Sequence, residues 1–175
     1  EKLYVGSCMN GRRGAVINAI GAIDMALWDI KGKAAGVPCW QLMGEPAQTA
    51  IEPYASLQPN GTSFEEYKAS LVEWVLRAKE MGFQAAKLEV TLSGPYNHSG
   101  LDESDDKVTE TVAACREAVG SDFTLMVDVQ YAWPDADTAL RTLRDWEPLD
   151  VYFIETPLPV DDLAGMARLA EESPG

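Results

Sequence analysis

Four apolar runs of strand length, at residues 51–57, 84–91, 124–129 and 150–155, are each followed by a stretch with helical spacing of its apolar residues. The stripes are Tyr67, Leu71, Val75 and Ala78; Val108, Val112 and Cys115; Ala139, Leu140 and Leu143; and Leu163, Met166, Ala167 and Ala170. The repeat runs at about thirty residues, the size of a parallel crossover unit, and predicts an α/β fold with a parallel sheet. Two closures suit it, an open doubly wound sheet and an eight-stranded barrel. No Gly-x-Gly-x-x-Gly follows the first run and no phosphate loop is present, which counts against the nucleotide-binding open sheet. Polar residues gathered at the C-terminal ends of the runs favour the barrel, whose sites lie there.

Ahead of the repeat, residues 1–13 carry Gly6, Asn10, Gly11 and two arginines and predict a loop. Val16, Ile20, Ile23, Leu27 and Ile30 then mark a long amphipathic helix that Gly36 and Pro38 end. Asp24 and Asp29 lie off that stripe, on a solvated face or a contact between domains. Ser63 with Glu66 is a capping-box signature for the helix after the first run, and Pro53 weakens that run as a strand or moves it to the strand's start. The polar stretch 93–105 is too long for an ordinary turn and is a candidate active-site loop.

The third and fourth runs each reach a carboxylate near the C-terminal end, Asp128 and Glu155. An unpaired buried carboxylate costs several kcal/mol, and two on neighbouring strands repel, so both need a cationic partner. Period-two alternation places Lys87 and Glu89 on one face of the second run and Met126, Asp128 and Gln130 on one face of the third, with aliphatic residues opposite, and on the fourth sets Phe153 and Glu155 against Tyr152 and Ile154. The expected barrel mouth is lined by Lys87, Glu89, Asp128, Gln130 and Glu155. Oxygen ligands of this kind suit Mg²⁺, and the lone His98 cannot supply a histidine-rich site. The alternative is that Asp128 and Glu155 form buried ion pairs with lysine or arginine.

Fourteen basic against 28 acidic residues, a net charge of -14, argue against nucleic acid or an anionic membrane as partner. Cys8, Cys39 and Cys115 are odd in number and lack C-x-x-C spacing, which suits reduced thiols in the cytoplasm. No long apolar run or signal-peptide pattern occurs. The start at Glu1 and the close on Ser173, Pro174 and Gly175 give the expectation that the chain is part of a longer one.

The motifs Ala19–Gly36, Gly82-Phe-Gln-Ala-Ala-Lys87, Val127-Asp-Val-Gln-Tyr-Ala-Trp133 and Phe153-Ile-Glu-Thr-Pro157, in this order, resemble the enolase superfamily in its mandelate racemase / muconate lactonizing branch. The resemblance implies a modified (β/α)₇β barrel of the TIM type with a capping domain. Residues 1–50 would be linker and the last part of the capping region, and 51–175 the first four βα units, about half the barrel. By the same resemblance Asp128 and Glu155 match the first two Mg²⁺ ligands, with a further acid expected beyond residue 175. Lys87 matches the first lysine of a Lys-x-Lys pair, Glu89 stands in place of the second, and Gln130 replaces a frequent Asn.

The implied reaction is Mg²⁺-assisted removal of the proton α to a carboxylate, through an enediolate. Lys87 would be base or cationic partner. Mg²⁺ nearby would lower its pKa, whereas Glu89, about 6 to 7 Å along the strand, would raise it or bind a substrate hydroxyl. Dehydration of an acid sugar is the first expectation. Racemisation, epimerisation or cycloisomerisation is the alternative, and a truncated, non-catalytic fragment a second one. The expected partners are a small carboxylate substrate and, at full length, further copies of the same chain. Tyr54 and Ser56 at the first strand are candidates for substrate hydroxyls, and His98 is a candidate contact from the polar loop. Trp133 is expected as a pocket wall or as core packing.

Overall fold

The computed structural model describes residues 1–11, 13–45, 48 and 50–174; Arg12, Pro46, Ala47, Thr49 and Gly175, which fall in the expected linker and at the end of the last unit, lie outside the described residues. Two compact units divide the chain at residues 1–51 and 52–175.

In the first unit the expected loop contains a short helix, α1 (Lys2–Ser7). Helix α2 (Ala15–Ala35) carries the predicted stripe and stops at Gly36, whose left-handed φ of 68° lets Val37 N–H reach back to Gly32 O at 3.1 Å. Ile23, Leu27 and Ile30 are nevertheless exposed, and the one buried residue of α2 is Gly32, where an added Cβ would meet Val37 O at 2.9 Å. Asp29 pairs with Lys33 at 2.6 Å one turn on, as a solvated helix face does.

The second unit holds the repeat. In chain order it runs β1 (Ala55–Leu57), α3 (Phe64–Glu80), β2 (Ala85–Glu89), α4 (Asp105–Val119), β3 (Thr124–Asp128), α5 (Ala136–Trp146), β4 (Val151–Glu155) and α6 (Leu163–Glu172). All pairings are parallel and the strand order is β1-β2-β3-β4. Each strand lies beside its neighbour in sequence, the progression of a barrel wall, whereas a doubly wound sheet reverses direction at a switch point. Strand β1 is shorter than the predicted run because residues 51–54 are not in the ladder; Pro53 has no N–H to give it.

Helix α3 starts as its sequence demands. Ser63 Oγ accepts from Glu66 N, but the Glu66 carboxylate reaches back one residue further than a capping box requires, accepting from Thr62 N at 2.8 Å and Thr62 Oγ1 at 2.7 Å. These bonds hold the Glu66 carboxyl below its ordinary pKa. One sheet face carries Leu57, Ala86, Leu88, Leu125 and Val127, and it packs with Tyr67, Leu71 and Val75 of α3, Val112 and Cys115 of α4, and Leu140 and Leu143 of α5 in a single core. At the opposite end of the strands Arg116 ties the turns together, donating to the carbonyls of Leu149, Gly120, Phe123 and Asp150 at 2.6 to 2.9 Å.

Strict alternation fails in β4. Leu125 pairs with Val151 but Val127 with Ile154, so two steps on β3 meet three on β4. This bulge puts both Val151 and Ile154 against the core and leaves Tyr152, 75% exposed, outside it, correcting the expected opposition of Phe153 to a Tyr152–Ile154 face. Among the described residues no helix is long and apolar enough to cross a membrane.

Trp133 is 1% exposed in this core, edge-on to Trp146 at 5.9 Å, with its Nε1 donating to Asp105 Oδ1 at 3.1 Å. It is core packing and not a pocket wall. Trp133→Phe, which removes the donor and leaves a void where the pyrrole ring was, is predicted to cost about 1 to 3 kcal/mol in denaturant unfolding, and Asp105→Ala to cost less in that background than in the wild type, since the shared bond is already gone. Cys115 is fully buried, and burial pushes its thiol up to about 12. Native Cys115 is therefore predicted to resist iodoacetamide at pH 8 while exposed Cys8 is alkylated, as read by mass spectrometry. Because the unfolded thiol ionises first, this residue's contribution to stability is lost as pH rises above 9, and a denaturation series from pH 8 to 11 checks the sign.

Candidate active site at the C-terminal ends of the strands

Parallel register sets the site in two rows. Ser56, Lys87 and Met126 align in the lower row, and Glu89, Asp128 and Glu155 in the upper row, across β2, β3 and β4. Three carboxylates thus end three adjacent strands at one level. Ladder bonds continue past them, with Val90 N donating to Asp128 O at 2.9 Å and Val129 N to Glu155 O at 3.3 Å, so the row belongs to ordered sheet.

Asp128 is 5% exposed. Its Oδ1 accepts from Thr156 Oγ1 at 2.6 Å and Gln130 N at 3.0 Å, and its Oδ2 from Gln130 Nε2 at 3.1 Å. These donors are all neutral, so they satisfy the oxygens without cancelling the charge. Gln130 is not a strand residue as alternation suggests. The chain turns after Asp128, and Gln130 and Tyr131 take φ values of 52° and 60°. The turn still delivers the Gln130 amide to Asp128. Thr156, after β4, also has a positive φ of 50°, and Tyr131 N donates to its carbonyl at 2.6 Å.

Glu155 meets Lys87, whose Nζ lies 2.5 Å from Oε2; the side chains are 38% and 13% exposed. The same Nζ sits 5.6 Å from the centre of the Tyr54 ring. The hydrogen bond that Lys87 donates to the Glu155 carboxylate raises the Lys87 pKa above its ordinary value, against partial desolvation. The partner is thus Glu155, not Glu89 as the spacing along β2 suggests. Glu89 is engaged elsewhere: Gln58 Nε2 donates to its Oε1 at 3.1 Å, and His98 Nε2 lies 3.7 Å from the same oxygen. His98 Nε2 is also 3.4 Å from Gln130 Oε1.

The structure therefore gathers these residues in two sets of contacts, Tyr54–Lys87–Glu155 and Glu89–His98–Gln130–Asp128, which strand register sets side by side. Ser56 is exposed one row below, beside Lys87 in register, and Trp133 is withdrawn into the core. Sequence reasoning missed Thr156 and Gln58. Nothing in the pattern distinguishes the Thr156 hydroxyl, because its contact with Asp128 depends on a left-handed turn that threonine seldom adopts. A separate cleft of about 310 Å³ is lined by Pro95, Tyr96, Tyr131, Pro159, Val160 and Asp161, residues that follow β2, β3 and β4. The carboxylate row does not line it.

Among the described residues no group of three or more His, Cys, Asp or Glu is arranged to hold a metal ion. The donor chemistry of two of them nonetheless fits one. Asp128 is a buried carboxylate hydrogen-bonded by neutral groups, Glu155 stands opposite it in register, and both offer hard oxygens.

Residues 70–174 match the enolase C-terminal domain-like family, and residues 6–44 match the mandelate racemase / muconate lactonizing enzyme N-terminal domain. The chain is 37% identical over 163 residues to the 3,6-anhydro-alpha-L-galactonate cycloisomerase of Streptomyces coelicolor, covering 93% of this chain and 41% of the relative. It is 34% identical over 168 residues to the L-talarate/galactarate dehydratase of Salmonella typhimurium, covering 96% and 38%. Among solved structures, a racemase from Streptomyces coelicolor A3(2) with bound magnesium superposes with a TM-score of 0.74 at 33% identity, over 98% of this chain and 44% of that one. The chain spans about two fifths of the length of the curated relatives it matches. The strand progression, the carboxylates at the strand ends and the match over both segments agree, and the chain belongs to the enolase superfamily, in its mandelate racemase / muconate lactonizing enzyme branch.

Proposed function

We propose that this chain supplies the first part of the active site of a Mg²⁺-dependent lyase. The enzyme removes the proton α to the carboxylate of a sugar acid and expels the β-hydroxyl, leaving a 2-keto-3-deoxy acid. The observation that carries this reading is the upper row: Asp128 and Glu155 in register on adjacent parallel strands, with the Lys87 ammonium 2.5 Å from Glu155. Dehydratases of sugar acids among the relatives support it.

Asp128 and Glu155 would hold the cation. When bound, Mg²⁺ supplies positive charge where the substrate carboxylate gains electron density. The protein's own groups do the rest. Thr156 and Gln130 orient both oxygens of Asp128 through three hydrogen bonds. Lys87 donates to Glu155 at 2.5 Å, which places its ammonium to steady Glu155 and then the substrate carboxylate, the role assigned to it here in preference to that of a base. Removal of the α-proton then falls to a group in the part of the barrel that the relatives have and this chain does not span. One base on one face suits elimination, since racemisation needs proton donors and acceptors on both faces. Cycloisomerisation is the second reading, because the relative from Streptomyces coelicolor at 37% identity is a cycloisomerase.

The test uses full-length protein and a panel of aldonic and aldaric acids with Mg²⁺, following 2-keto acid by its semicarbazone and α-proton loss by exchange in D₂O. Elimination is expected, abolished by EDTA and restored by Mg²⁺. Asp128→Asn and Glu155→Gln are each expected to lower kcat/KM by roughly 10³, the scale of losing a preorganised electrostatic stabiliser. Full activity in both variants, or an inverted stereocentre with no keto acid, would overturn the reading.

A further inference from the structure

His98 is the one histidine of the chain and lies in the loop between β2 and α4. The residues on either side are pinned. Asn97 Oδ1 accepts from Ser99 N at 2.9 Å and Ser99 Oγ at 2.7 Å, Asn97 Nδ2 donates to Leu92 O at 3.2 Å and also to Leu101 O, and Ser99 Oγ accepts from Leu101 N at 3.0 Å. The ring is therefore carried on an ordered segment at the mouth of the site.

Its tautomer follows from a short chain of hydrogen-bond logic. Asp128 Oδ2 is an acceptor, so the Gln130 group facing it is the amide NH₂, at 3.1 Å. The Gln130 oxygen then points away from Asp128, and it is this oxygen that His98 Nε2 meets at 3.4 Å. Glu89 Oε1, a carboxyl oxygen at 3.7 Å, biases the same nitrogen the same way. A nitrogen facing two acceptors carries the proton, which leaves the lone pair of a neutral ring on Nδ1. At a mouth already holding three carboxylates, an uncharged acceptor is what an anionic, hydroxyl-rich ligand can use, since another carboxylate would repel it.

We propose that His98 binds a hydroxyl group of the polyhydroxy acid substrate through Nδ1, with Gln130 and Glu89 as positioning residues that fix its Nε2–H tautomer. The ligand half of this statement rests on the function proposed above; the tautomer half does not.

The experiment uses full-length protein with ¹⁵N-labelled histidine and Mg²⁺, the His98 signals being assigned by their loss in His98→Ala. A neutral ring with an unprotonated Nδ1 is expected, with that signal moving when a turned-over acid is added to an inactive Glu155→Gln background, which leaves Asp128 and Gln130 as they are. Gln130→Ala is expected to shift the tautomer population toward Nδ1–H. In kinetics, His98→Ala should raise KM about tenfold, the loss of one hydrogen bond, with kcat changed less than about threefold. His98→Asn, whose amide oxygen can take the Nδ1 position, should recover most of the loss and His98→Gln should not. An Nδ1–H ring, or an unchanged KM in His98→Ala, overturns the proposal. Failure of the enzymatic reading looks different: wild-type protein turns over none of the acids while Nδ1 keeps its lone pair, and that result removes the assigned ligand class.

Discussion

The structure of the mouth depends on satisfying the oxygens of a single carboxylate, Asp128, nearly sealed from water at the end of β3. Water cannot solvate it, so protein groups must, and the chain bends out of shape to bring them. Gln130 folds back through a left-handed turn so that both its backbone N–H and its side-chain amide reach the carboxylate. Thr156 adopts φ near 50°, a region a β-branched residue normally avoids at a cost of about 1 to 3 kcal/mol, and its hydroxyl takes the remaining position on Oδ1. Three of the four described non-glycine residues with positive φ, Gln130, Tyr131 and Thr156, thus sit around this one group. Such strain persists where the surroundings over-determine it, and here the compensating bonds converge on a group suited to holding a cation.

Much of the frame was legible in the sequence for a simple reason. Helical and strand periodicity report which side faces the core, and the aliphatic residues on one face of β2 and β3, Ala86, Leu88, Leu125 and Val127, did become that core. The long stripe of α2 was equally regular, yet Ile23, Leu27 and Ile30 stay exposed, because periodicity states that a face is apolar and not what covers it. In β4 the rule itself fails. A bulge adds one residue, and an argument from period two has no means of seeing an insertion that shows only in the pairing register.

The site was legible at the level of residue type and less so at the level of partners. Lys87 and Glu89 share a strand face, so spacing along β2 made them each other's natural neighbours. The sheet offered Lys87 a carboxylate two strands away, and a flexible four-carbon stem reached it at 2.5 Å. Trp133 illustrates the converse. Its place soon after a strand-end acid suggested a pocket, but a buried indole needs a hydrogen-bond acceptor, and Asp105 at the start of α4 provides one inside the core.

The two carboxylates across β3 and β4 are neutralised in different ways, and the difference bears on how a cation would be held. Glu155 already has a counter-charge in Lys87, while the hydrogen bonds found at Asp128 come from dipoles only. Under the proposed function Asp128 and Glu155 would hold the cation, which would supply the positive charge that the dipoles at Asp128 do not. Lys87, on its flexible stem, would then be the positive side chain at hand for the carboxylate of a ligand.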